Sequence, residues 1–222
     1  MYFKALLTMQ SVHQPLETLK DIKRMMERSS RFISLSGWSG VSAGICALAG
    51  AWMAVKKIEQ FKNEHASYYD KSGTHLSGQN LEILVPQLIS IAAIVFVAAL
   101  LSAFLFTYIR SKKAGVGIWS NAAMRLMWNT VIPMAVGGFV IIRMLDLKYY
   151  LLVAPCCLIF YGLALVNGSK FTLGEVKYLG YGQIILGLLN LWILGYGLIF
   201  WAAGFGVLHI IYGALMWWKY ER

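Results

Sequence analysis

Residues 33–55 read ISLSGWSGVSAGICALAGAWMAV, a stretch long enough to cross a bilayer, for which about 20 apolar residues suffice, yet rich in Ser, Gly and Ala and poor in Leu. Projected as a helix at about 100° per residue, it separates into two faces. Ser36, Gly37, Gly40, Ala43, Gly44, Ala47, Ala51 and Ala54 share one, and Trp38, Val41, Ile45, Leu48 and Trp52 share the other. Lipid tails are as apolar as Leu, so a membrane helix gains little by hiding Leu, whereas small side chains let two backbones approach and accumulate dispersion contacts. The Ser/Gly/Ala face therefore predicts packing against other helices, and the Trp/Ile/Leu face predicts lipid. Gly40 and Gly44 form a GxxxG spacing, which suits packing within the chain and also leaves a homo-oligomer open.

Composition agrees. Of 222 residues, 59% are apolar and only 14% charged, and the mean hydropathy is +0.61, outside the range of soluble domains. Lys and Arg number 20 against 10 Asp and Glu, but they sit between apolar runs and build no basic domain, so direct nucleic-acid binding is not expected. Cys46, Cys156 and Cys157 lie in apolar segments, which implies no disulfide framework. The first apolar residues are broken by Lys4 and followed by SVHQP, too short for a signal-peptide core; the first hydrophobic helix is expected to direct its own insertion.

The same length rule predicts an all-α integral membrane protein with spans over 33–55, 83–109, 126–142 and 149–167. The tract from Tyr178 to Trp218 is too long for one crossing, and the glycines of GYGLIFWAAG (195–204) divide it into 176–195 and 200–218. Six spans result, a transmembrane bundle over 33–218 between an N-terminal arm (1–32) and a short tail (219–222). Loop charge sets orientation, because cytoplasmic loops carry the excess of Lys and Arg. The arm, the 110–125 and 168–177 loops and the tail hold fourteen; the opposite side holds six, Lys56, Lys57, Lys62, Lys71, Arg143 and Lys148. Both termini are expected in the cytoplasm.

Within the arm, PLETLKDIKRMMERSSRF (15–32) starts with Pro15 and spaces Leu16, Leu19, Ile22 and Met26 at helical intervals, an amphipathic helix. It suits the cytoplasmic membrane interface or the docking of a cytoplasmic protein partner. The external segment 56–80 carries Glu64, His65, Tyr68, Tyr69, Asp70 and His75, whose spacing matches no recognised metal site; no metal is expected. No internal repeat of the inverted-transporter kind is visible.

Polar groups inside a membrane are costly and usually face the bundle interior, which makes them the first candidates for function. In the fifth span Gly180, Gln183, Gly187 and Asn190 share a face; in the sixth, Ala202, Gly206, His209 and Gly213 do; the third contributes Asn129, with Arg125 one turn away at its cytoplasmic edge. If the faces converge, Asn129, Gln183, Asn190 and His209 line a polar cavity with Arg125 at its mouth, a ligand-binding set. The plainer alternative is hydrogen bonding between helices that fixes their packing. Helix packing itself is assigned to Ser36, Gly40, Ala43, Gly44, Ala47 and Ala51.

Enzymatic constellations are missing from the pattern. Cys156 and Cys157 are adjacent rather than a CxxC pair, no GxSxG or His/Asp set accompanies the serines, and the spans hold one histidine, so neither catalytic residues nor a cofactor such as haem is expected. The run RSSRFISLSGWSGVSAGICALAGA (28–51), with the six-span layout behind it, resembles a family of bacterial inner-membrane proteins. That resemblance implies a plasma-membrane location and a regulatory partner on the cytoplasmic side, and transfers no catalytic motif. The reading is a non-enzymatic sensor or a module binding a small ligand or lipid; its alternative is a small-molecule transporter using a central polar cavity, with an intramembrane enzyme a distant third.

Overall fold

The computed structural model describes residues 36–64, 78–113 and 120–222. The amphipathic arm over 15–32 and His65, Tyr68, Tyr69, Asp70 and His75 lie outside them. Among the described residues the chain is helical without strands: α1 (Gly37–Glu64), α2 (Gly78–Lys113), α3 (Asn121–Asp146), α4 (Val153–Gly168), α5 (Val176–Trp192) and α6 (Gly197–Tyr220). Five segments are long and apolar enough to cross a bilayer: α1, Ile83–Lys113 in α2, α3, Tyr150–Phe171 around α4, and α6. With 17 residues α5 reaches about 25 Å at 1.5 Å per residue, a little less than the ~30 Å hydrocarbon core.

Large apolar side chains point outward, among them Ile94, Leu101, Phe139 and Trp192. Water would not tolerate so much exposed apolar surface, whereas lipid is its natural solvent. The chain is a helical, multi-pass membrane protein.

Small residues decide the contacts. A Cβ added at Gly37 would lie 2.5 Å from the Gly213 oxygen and one at Gly44 2.7 Å from the Gly206 oxygen, so α1 and α6 touch backbone to backbone. Ser36, Ala47, Ala51 and Ala54 are buried while Trp38, Ile45 and Trp52 are exposed; Gly40 faces Gly213, and Ala43 is half-buried. Val41 and Leu48 depart from the lipid face assigned to them. They fill the notches left by Gly213 and Gly206, because a glycine notch is filled only when a larger side chain enters it. On its other flank α1 holds α2 through Gly50, which seats Val95.

The second half repeats this logic. Gly162 of α4 and Gly180 of α5 are mutually close, each added Cβ falling 2.7 or 2.8 Å from the other's oxygen. Thus α4 packs against both α3 and α5, and α6 joins this half to α1. Helices α2 and α3 are the outer ones, leaning chiefly on α1 and α4.

Helix boundaries differ from the sequence-based expectation: the 83–109 and 126–142 spans lie within the longer Gly78–Lys113 and Asn121–Asp146, and two further differences have a clear cause. The first helix continues past 55 to Glu64 because KKIEQFKNE contains no breaker, Lys56 and Glu59 pair at 2.9 Å and Gln60 bonds Glu64 at 2.7 Å, supporting the helix at i,i+3 and i,i+4. The α5/α6 turn falls at 193–196 rather than after 195, with Gly195 at φ +95°, backbone territory that only glycine enters freely. Asn190 donates to the Ile193 oxygen at 3.2 Å and closes the helix end.

At the opposite end Glu221 gathers three helices. Its carboxylate pairs with Arg110 of α2, accepts the Gly37 N–H at the start of α1 at 2.5 Å and the Ser36 hydroxyl at 3.3 Å. Nearby, Glu175 accepts from Lys219 at 2.5 Å and Tyr220 at 2.7 Å. Partial burial pulls the Glu175 carboxyl upward, but those hydrogen bonds outweigh it and hold it below its ordinary 4.5. A carboxylate lowered in the folded state contributes stability that is complete well above 4.5 and is lost as pH falls through the lowered value. Glu175→Gln is therefore expected to flatten the acid limb of a thermal-stability profile below about pH 4.5.

Candidate functional site

Helix α6 does not run as a plain α-helix: Ala202–Leu208 form a π-helical section. Widening of this kind is rare and tends to mark functional positions. Here it presents the Gly204 carbonyl to two side chains. Gln183 Nε2 donates to it at 2.7 Å and His209 Nδ1 lies 3.0 Å away. Gly204 has no room for a side chain, since a Cβ would stand 2.5 Å from Gln183 Oε1.

The histidine's protonation follows. A carbonyl only accepts, so Nδ1 carries the proton and Nε2 keeps its lone pair. Tyr161 of α4 lies 2.7 Å from Nε2 and therefore donates its hydroxyl proton to it. Gln183 and His209 also approach each other at 3.4 Å, with Gln183 fully buried and His209 6% exposed.

The other sequence candidates are placed differently. Asn190 is fully buried at the end of α5. Asn129 donates back to the Arg125 oxygen at 2.8 Å, and Asn167 of α4 donates to the Asn129 backbone oxygen at 2.8 Å and to its Oδ1 at 3.3 Å. Arg125 is exposed on α3. The structure thus joins Gln183 to His209, while Asn129 and Asn190 hold partners of their own. Amides expected to line a polar passage instead donate to backbone carbonyls, Gln183 to Gly204, Asn190 to Ile193 and Asn129 to Arg125, while Gln183 Oε1 and Asn190 Oδ1 are buried without a partner.

Beside His209 lies a cavity of about 470 Å³, within the ~300–1,000 Å³ range of small-molecule sites. Its character is apolar. Ala92, Val95 and Ala99 of α2 form one side and Met134, Gly138 and Ile141 of α3 the other. The inner wall is aromatic: Trp201, Phe205 and His209 succeed one another along α6, with Tyr161 and Phe160 from α4. Ring centroids of Trp201 and Phe205, and of Tyr161 and Phe205, are 5.2 Å apart, and Tyr161 stacks on His209 at 5.4 Å. Of the five residues proposed from sequence as ligand-binding, His209 alone lines this space.

Two adjacent glycines in α3 separate packing from space. Gly137 is buried, and a Cβ there would strike Phe160 at 2.5 Å. At Gly138 the same Cβ would meet nothing within 4 Å. Glycine inside a helix costs about 0.5–1 kcal/mol relative to alanine, and at Gly138 no neighbouring atom requires it.

Tyr161, Phe205, Gly204 and Asn167 escaped the sequence reading. The i, i+4, i+8 spacing of Trp201, Phe205 and His209 was the available signal for the aromatic wall, whereas a tyrosine in an otherwise apolar helix announces nothing. Comparison with protein-family models, with curated proteins and with solved structures finds no match.

Proposed function

We propose that the chain is a six-span module of the bacterial inner membrane, N-in and C-in, that binds a small lipidic molecule inside the bilayer and relays its presence to a cytoplasmic partner. The observation that carries this reading is the apolar 470 Å³ cavity with a single hydrogen-bonded Tyr161–His209 pair on its wall. An apolar space at mid-span excludes ions and polar solutes, and it suits a molecule that already partitions into the membrane. Counting α5 as the sixth crossing is supported by Trp192, 89% exposed at a helix end where aromatic side chains favour the lipid–water interface. Orientation is supported by Arg110, Lys112, Lys113, Arg125, Lys170, Lys177, Lys219 and Arg222 at the Glu221 end, against Lys56, Lys57, Lys62, Arg143 and Lys148 at the other.

The relay in this reading runs along α6. Helix α6 carries the cavity wall and ends beside Glu221, whose carboxylate grips Ser36 and Gly37 at the start of α1. A ligand that shifts α6 alters this grip. Binding and relay require no chemistry at the ligand, consistent with a non-enzymatic role.

Gly138→Phe tests the reading by filling the space from α3. Native mass spectrometry of protein extracted in mild detergent and incubated with bacterial lipid extract is expected to show a retained apolar adduct on the wild type. Its occupancy should fall at least ~10-fold in Gly138→Phe, as expected when a bulky ring removes most of a ligand's contacts, and persist in Gly138→Ala. Wild-type protein that retains nothing, or a Phe variant that retains as much, overturns the proposal.

A further inference from the structure

The hydrogen-bond chain behind the cavity has a direction, and that direction selects among lipidic molecules. It begins at the Gly204 oxygen, which accepts from Gln183 Nε2 at 2.7 Å and fixes the proton on His209 Nδ1 at 3.0 Å. His209 Nε2 is left as an acceptor, and the Tyr161 hydroxyl, 2.7 Å away, spends its only proton there. A phenol has one O–H donor but also lone pairs on oxygen. What Tyr161 retains is acceptor capacity alone.

Both Tyr161 and His209 line the cavity, and the rest of the lining is aliphatic or aromatic apart from the Cys157 thiol and the Trp201 indole N–H. We infer that the occupant is a membrane-soluble alcohol, a long apolar chain or ring system bearing a hydroxyl that donates to Tyr161 Oη. Molecules of the same shape whose polar group only accepts, such as ethers, esters, aldehydes and quinones, gain no bond at this position and set two acceptors face to face. The inference rests on the cavity being a ligand site, and it narrows that ligand's chemical class.

The arrangement would be lost with the opposite tautomer, in which Nδ1 and the Gly204 oxygen would be two acceptors 3.0 Å apart. Gln183 Nε2 donates to the same carbonyl at 2.7 Å, whose two lone pairs accommodate both donors. Selectivity is thereby built by residues of three helices, α4, α5 and α6.

A matched pair of probes decides the matter: 1-hexadecanol and hexadecyl methyl ether, equimolar, incubated with the full-length protein in mild detergent and read by native mass spectrometry. Wild-type protein is expected to retain the alcohol over the ether by about tenfold, the effect of one neutral hydrogen bond. Tyr161→Phe is expected to retain both equally. His209→Leu offers a second reading that does not depend on the first variant's yield, because it frees the Tyr161 proton and should raise ether retention toward that of the alcohol. Equal retention by the wild type, or a preference that survives in Tyr161→Phe or His209→Leu, overturns the alcohol assignment while leaving the cavity as a ligand site. Retention of neither probe overturns both.

Discussion

Replacing Gly213 by leucine is expected to leave almost no protein that survives detergent extraction as a monodisperse species. A Cβ at this position would lie 2.5 Å from the Gly37 oxygen and 2.6 Å from the Val41 nitrogen, both backbone atoms of α1 that cannot rotate aside. Alanine alone forces the helices apart and should lower stability by about 3 kcal/mol, the upper part of the range for overpacking. Leucine adds three further carbons at the same point. Separation of α1 from α6 also pulls Leu48 out of the Gly206 notch, so the loss spreads along the interface. The control is Gly138→Ala, where open space surrounds the added methyl and the expected change is neutral or stabilising by up to about 1 kcal/mol. Fluorescence-detected size exclusion and thermal unfolding of the three proteins measure this directly, and a Gly213→Leu variant with wild-type melting behaviour would refute the close α1/α6 contact.

Glu221→Ala is expected to produce the second largest loss, about 3 kcal/mol, by leaving a partly buried guanidinium without its counter-charge. Arg110 and Glu221 have side chains only 21% and 16% exposed, so solvent screens them less than a surface pair. The same carboxylate accepts the Gly37 N–H at 2.5 Å, one of the unsatisfied amide groups at the start of α1. Glu221→Gln keeps an acceptor for that amide and loses the charge, and should fall between wild type and alanine. Combining Glu221→Ala with Arg110→Met removes the orphaned cation, and is expected to recover part of the loss relative to Glu221→Ala alone. Equilibrium unfolding in mixed micelles reads the series; additivity of the two single changes would count against the ion pair.

Sequence periodicity carried the architecture further than it carried the site. The small face of α1 was legible because a period of 3.6 residues sorts glycine and alanine from tryptophan without help from the rest of the chain. Gln183 could be placed on the inner face of α5 in the same way. His209 was legible as an inward polar group, but its partners were not, since a π-helical section breaks the constant angular step on which the projection of α6 depends. The wheel put Ala202 on the face with Gly206 and His209, whereas Gly204 supplies the carbonyl that both Gln183 and His209 reach. Asn129 and Asn190 show a second limit. An amide's position on a helix says that it seeks a partner, not whether that partner is another helix, its own backbone or a ligand, and here they found Asn167 and the Ile193 carbonyl. Glu221, near the end of the sequence, carried no periodic signal at all.

The widened stretch of α6 has one more implication. Two sets of contacts on this helix must be satisfied together: Phe205 and His209 toward α4 and α5, and Gly206 and Gly213 toward α1. Rewinding AAGFGVL (202–208) as plain α-helix with every residue kept would turn everything beyond it by about 100°, so that either the histidine or the glycine seam loses its mate. The surplus residue acts as a phase corrector, setting the recognition wall and the structural seam of a single rod at independent angles.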